Sequence, residues 1–95
     1  MNGTGDTAPG GAAAHPLVVP DVNIVGVPLS LSLWLVPEGS DVIEGDRVVE
    51  LLGGGVTIDL EAPVTGRLMR LLIDEDDRVA PGTVIAEFLA SVDHD

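Results

Sequence analysis

The sequence predicts an all-β domain: a flattened barrel or sandwich of two small antiparallel sheets related by pseudo-two-fold symmetry. Three observations carry that expectation. Apolar residues recur with period two along several short segments. Glycine and proline punctuate every gap between those segments. The chain also repeats itself once, at an offset of 37 residues.

The elements follow in chain order. Pro16-Leu17-Val18-Val19-Pro20 reads as a short strand bounded by prolines. Leu29, Leu31, Leu33 and Leu35 alternate with Ser30, Ser32, Trp34 and Val36, which is a strand with the serines facing solvent. Val48 to Leu52 is a short apolar, β-branched run. Val56, Ile58 and Leu60 alternate with Thr57, Asp59 and Glu61. Leu68 to Ile73 and Val84 to Leu89 complete the series. The turn signals are Pro37-Glu38-Gly39, Glu44-Gly45-Asp46, Gly53-Gly54-Gly55, Ala62-Pro63 and Pro81-Gly82. No segment offers a capped helix of useful length.

The repeat aligns Trp34–Leu51 with Leu71–Phe88. Leu35 meets Leu72, Glu38 meets Glu75, Val42 meets Val79, Gly45 meets Gly82 and Glu50 meets Glu87, all identical; Val36 meets Ile73 and Val48 meets Ile85. Each unit reads strand, polar turn, short apolar contact, glycine turn, strand. Neither unit can bury its apolar face alone, so the two pack as halves of one core.

Composition narrows the chemistry. The 95 residues suffice for one small domain. Sixteen acidic residues face four basic ones, a net charge of -12, and all four bases are arginines: Arg47, Arg67, Arg70 and Arg78. There is no lysine and no cysteine. Schiff-base chemistry, a P-loop lysine, thiol catalysis and thiolate metal sites are therefore excluded within this sequence. The charge argues against nucleic acid and anionic membrane as partners and favours basic protein surfaces. Trp34 and Phe88 are the two aromatics, so the core is aliphatic. A domain of this size buries only roughly 60% of its unfolded surface, which predicts modest stability and no large internal cavity. No apolar run reaches the roughly 20 residues of a membrane span. Residues 1–15 are expected to be a flexible tail, 16–90 the folded domain and 91–95 a flexible end, in a cytoplasmic protein.

Individual residues offer little catalysis. His15 and His94 fall in the two tails. Asp74-Glu75-Asp76-Asp77 lacks the glycine and terminal glutamate of an EF-hand loop and aligns with the plain turn Pro37–Ser40, so it reads as a solvated acidic turn with no metal. Arg67 and Arg70, three apart on one strand, are expected on opposite faces. Trp34 admits two readings, a core residue or an exposed anchor for a partner.

Specific motifs then point to a family. Glu38-Gly39, Val42 and Gly45-Asp46 match an EG-x-x-V-x-x-GD turn; Glu61-Ala62-Pro63 and Gly66 match E-A-P-x-x-G; Val79, Gly82, Ile85 and Ala86 match V-x-x-G-x-x-[IL]-A. On these residues the stretch from about 17 to 90 resembles the biotinyl/lipoyl carrier domain family, the lipoyl type most closely. From Trp34 onward the match needs no gap. The resemblance implies a hairpin tip whose central lysine, within Asp-Lys-Ala, receives lipoate or biotin through an amide. Counting back from Ala62-Pro63, that lysine position is Gly55, with Gly54 for the Asp and Val56 for the Ala. A glutamate three residues before the lysine is replaced by Leu52. The framing glycines, Gly39 and Gly66, are kept. The tip Gly53-Gly54-Gly55-Val56 thus reads as a tight turn with no attachment side chain and no cofactor.

Two functions follow from the resemblance. One is a non-enzymatic docking or scaffolding partner of a 2-oxo acid dehydrogenase-like, thiamine-diphosphate or acyltransferase enzyme, using Gly54, Gly55, Val56 and Trp34 as docking candidates. The alternative is a true carrier modified at a non-lysine site, for which a hydroxyl such as Thr57 would have to replace the amine.

Overall fold

The structure, a computed structural model, describes residues 14–21 and 27–91. The expected tails lie largely outside these residues, as does His94. Among the described residues eight strands form: β1 (Ala14–Val18), β2 (Leu29–Trp34), β3 (Asp41–Val42), β4 (Arg47–Gly53), β5 (Val56–Glu61), β6 (Gly66–Leu71), β7 (Arg78–Val79) and β8 (Val84–Ala90). They make two four-stranded antiparallel sheets, ordered β1-β8-β6-β3 and β5-β4-β2-β7. The first strand begins at Ala14, two residues ahead of Pro16. The short apolar contacts at Val42 and Val79 are the two-residue strands β3 and β7.

The repeat in the sequence is a symmetry of the fold. Shifting β2, β3 and β4 by 37 residues lands on β6, β7 and β8 at both ends. The backbone hydrogen bonds repeat with it. Leu31 N–H donates to the Asp77 carbonyl at 2.9 Å, and Leu68 N–H to the Ser40 carbonyl at 2.8 Å. Gly82 N–H donates to the Val19 carbonyl at 2.8 Å, and Gly45 N–H to the Ala62 carbonyl at 3.1 Å. The remaining pair is β1 and β5, which flank β8 and β4 in the same register: Pro16 faces Glu87 as Asp59 faces Glu50.

Irregularities in pairing repeat too. β2 slips against β4 between Leu31 and Leu33, and β6 against β8 between Leu68 and Arg70. Ser32 and Met69 are the extra residues, again 37 apart. A bulge residue shifts the side-chain alternation by one position. This corrects two expectations. The four alternating leucines do not share a face: Leu29 and Leu31 are buried, whereas Leu33 and, just past the end of β2, Leu35 are exposed. Beyond the bulge the inward places pass to Trp34 and Val36, which pack on the core. Arg67 and Arg70 lie on the same face, not opposite ones, because they face Leu89 and Glu87, two residues apart on β8.

The core between the sheets is aliphatic apart from Phe88. Its largest fully buried side chains are Phe88, Leu31, Leu51, Leu68, Ile85, Val19, Val48 and Val49. Each such side chain stabilises the fold by about 1.5–3 kcal/mol through its removal from water. No charged or polar side chain is buried among the described residues.

Candidate functional site

The β4–β5 hairpin ends in a two-residue turn. Gly53 pairs with Val56, leaving Gly54 and Gly55 as the central residues. Their φ angles are 59° and 80°. Positive φ at both centres is the requirement of a type I′ turn, whose twist matches that of the strands it joins. Glycine satisfies it without a steric penalty. The three glycines therefore differ in what they do. Gly53 is buried because the Leu29 side chain covers it: a Cβ there would sit 2.5 Å from Leu29 Cδ2. Gly54 lies against Val27, whose Cγ1 would be 3.1 Å from an added Cβ. A Cβ added at Gly55 would meet nothing within 4 Å.

The tip is exposed and apolar. Val56 is 54% exposed and Leu52, on the outer face just below the turn, 40%. No charged residue occurs from Leu51 to Ile58, nor from Val27 to Val36 on the adjoining strand. In a chain with sixteen carboxylates this is an uncharged island. One row below the turn, the outer face of the sheet reads Thr57, Leu52, Ser30 and Arg78 across four strands. Arg78 is the one arginine without a carboxylate within 4.0 Å among the described residues; Arg47 pairs with Asp59, Arg67 with Asp41 and Arg70 with Glu87.

The other candidates lie elsewhere. Trp34 faces Val49, well down the sheet from the tip. Its indole N–H donates to the Ile73 carbonyl at 3.0 Å and its ring is half-buried on the core. The Asp74–Asp77 segment closes on itself, with Asp74 N–H donating to Asp77 Oδ2 at 3.1 Å. His15 sits on β1 in the other sheet. An open groove lined by Leu35, Val36, Gly45, Asp46 and Arg47 marks the end of the sheet away from the turn. The sequence showed Leu52 only as a missing glutamate and did not point to Val27, because its contact with Gly54 is tertiary and leaves no local pattern.

The arrangement can present a rigid, bare turn with an apolar collar. From Leu51 to Ile58 the hairpin end carries no amine, thiol, imidazole or carboxylate side chain. A family model described as "Biotin-requiring enzyme" matches residues 16–88. No curated protein matches the chain significantly.

Proposed function

The chain belongs to the biotinyl/lipoyl domain family, and on that premise we propose that it is a non-catalytic docking domain whose hairpin tip seats on a partner enzyme without carrying a swinging arm. The partner class is an acyltransferase or a thiamine-diphosphate subunit of the 2-oxo acid dehydrogenase kind. The observation that carries this is the tip itself. Gly54 and Gly55 build the turn with backbone alone, and Val56 and Leu52 expose apolar surface beside it. An amide-linked cofactor needs an amine, and the 95 residues contain no lysine. What remains at the tip is shape and apolar area, which suit an apolar socket. The net charge of -12 over the whole chain adds attraction toward a basic rim, speeding encounter more than it deepens affinity.

The test pairs capture with mass. The chain is immobilised at low salt with extract from its own cells, beside a Leu52→Asp/Val56→Asp variant. The expected result is one enzyme subunit of that class retained by the original and lost by the variant, with release as salt rises. Intact mass of the native protein should equal that of the bare chain. A lipoyl or biotinyl adduct, or equal retention by the variant, defeats the proposal.

A further inference from the structure

The two sheets have four edges, and three of them are blunted. β3 and β7 are two residues long. β1 is longer but carries Pro16. The fourth edge, β5, is six residues of continuous strand, Val56 to Glu61. The pseudo-symmetry makes the contrast specific. Gly53 and Val56 flank the turn as a hydrogen-bonded pair, so inward and outward backbone groups alternate from there. The N–H and C=O groups of Thr57, Asp59 and Glu61 point away from β4. Ala62 N–H, the next inward group, donates to the Asp46 carbonyl at 2.7 Å. On β1 the corresponding outward positions are Ala14, Pro16 and Val18, with Pro20 beyond. Proline removes the donor a visiting strand would need, a common protection of sheet edges. The place held by Pro16 on β1 is held by Asp59 on β5, and its donor is intact.

We propose that β5 is a second interaction surface, one that receives an extended basic segment of a partner protein as an added strand. The occupant follows from charge. Asp59 and Glu61 are exposed on one face of this edge, two residues apart. Two copies of this chain pairing edge to edge would bring those carboxylates together, on top of a net charge of -12 each. A segment with lysine or arginine at alternate positions places cations opposite both carboxylates while its backbone pairs with the outward donors and acceptors of β5, which have no partner among the described residues. Its intervening side chains meet the side of β5 that carries Ile58 and Leu60. Arg47, 3.3 Å from Asp59 and 70% exposed, holds that carboxylate only loosely. This surface is distinct from the tip, and its occupation does not require the tip to dock.

The probe is an end-capped ten-residue peptide alternating valine with lysine. The control has the same residues and charge, with every second backbone nitrogen methylated along one edge. Binding is followed by amide chemical shifts and hydrogen exchange on the full chain. The expected result is shifts and added protection at Thr57, Asp59 and Glu61, with affinity at least tenfold weaker for the methylated peptide. Asp59→Pro, which copies Pro16, should produce the same loss. The control peptide keeps the test valid if that variant folds poorly. Leu52→Ser, which trims the apolar surface beside the turn while altering no residue of β5 and adding no charge, should leave peptide binding in place, which separates this edge from the tip. Absent binding, or equal binding of both peptides centred on the acidic turn Asp74–Asp77, overturns the proposal.

Discussion

Glu38 and Glu75 exchange places across the pseudo-two-fold axis: each carboxylate caps a strand end in the other half of the molecule. Glu75 Oε2 accepts from Trp34 N–H at 3.0 Å, and Glu38 Oε2 accepts from Leu71 N–H at 2.9 Å. The bulges at Ser32 and Met69 turn these donors away from the ladder, so a side chain must satisfy them. Because both glutamates are exposed, solvent screening keeps each contribution modest. Glu38→Ala and Glu75→Ala should each lower stability by about 1 kcal/mol in urea unfolding, by loss of a hydrogen bond to a charged acceptor. The two losses should be similar. A large difference between them would mean that the symmetry of the contacts is not a symmetry of energies.

Gly39 and Asp76 are likewise equivalent, and both have positive φ, 94° and 74°. Asp76 is the one non-glycine residue in that region among the described residues. An added Cβ at Gly39 meets nothing within 4 Å, so the cost of Gly39→Ala is conformational, about 1 kcal/mol. Asp76→Gly relieves the left-handed backbone but gives the unfolded chain more freedom, and the two terms nearly cancel. Thermal melts should therefore show Gly39→Ala clearly lowered and Asp76→Gly close to the parent. A loss above about 1 kcal/mol for Asp76→Gly would contradict this.

The halves, six of the eight strands and the hairpin turn were legible in the sequence because each leaves a local or periodic mark. Period two marks β5, and Gly53-Gly54-Gly55 marks its turn. The 37-residue repeat reaches the short strands β3 and β7 through Val42 and Val79. What the pattern could not reveal is where the alternation breaks. Ser32 looks like any outward serine and Met69 like any strand residue, yet each adds one position to its strand. That is why Leu33 and Leu35 face solvent and why Arg67 and Arg70 share a face. Neither bulge contains glycine, so no composition signal announces it. At the site, the bare turn was readable, but the collar made by Val27 was not. Its approach to Gly54 depends on how the chain enters β2, which only tertiary packing decides.

Gly66 and Gly55 should respond very differently to alanine. Gly66 is buried where β6 meets β8, and a Cβ there would overlap the Leu89 carbonyl oxygen and crowd Ala90 Cα at 2.9 Å. These are backbone atoms that cannot rotate aside. Gly66→Ala should cost about 3 kcal/mol, at the upper end of overpacking, or prevent folding. Gly55→Ala meets no atom and carries only the left-handed penalty, about 1 kcal/mol. Denaturant titration of both variants checks the order. Equal losses would mean that β6 and β8 can separate freely.

The scaffold should still support attachment once an amine is restored at its tip. The resemblance places an acceptor lysine at Gly55, with aspartate at Gly54 and alanine at Val56. A Cβ at Gly55 points into open space, so a long side chain projects from the turn without displacing a neighbour. At Gly54 the nearby Val27 Cγ1 must shift by a few tenths of an ångström. Positive φ at both positions makes the replacement costly, about 1–2 kcal/mol per residue and less for aspartate, which tolerates this region. The fold should survive if its stability lies in the ordinary range. The variant Gly54→Asp/Gly55→Lys/Val56→Ala, with Leu52→Glu added to restore the neighbouring acid, should become a substrate for a lipoate or biotin ligase. Intact mass after incubation with ligase, ATP and cofactor should rise by one attached group. The parent chain, having no lysine, should not change. A folded variant that stays unmodified would show that the hairpin has lost ligase recognition as well as its amine, and with it the geometry shared by carriers of this family.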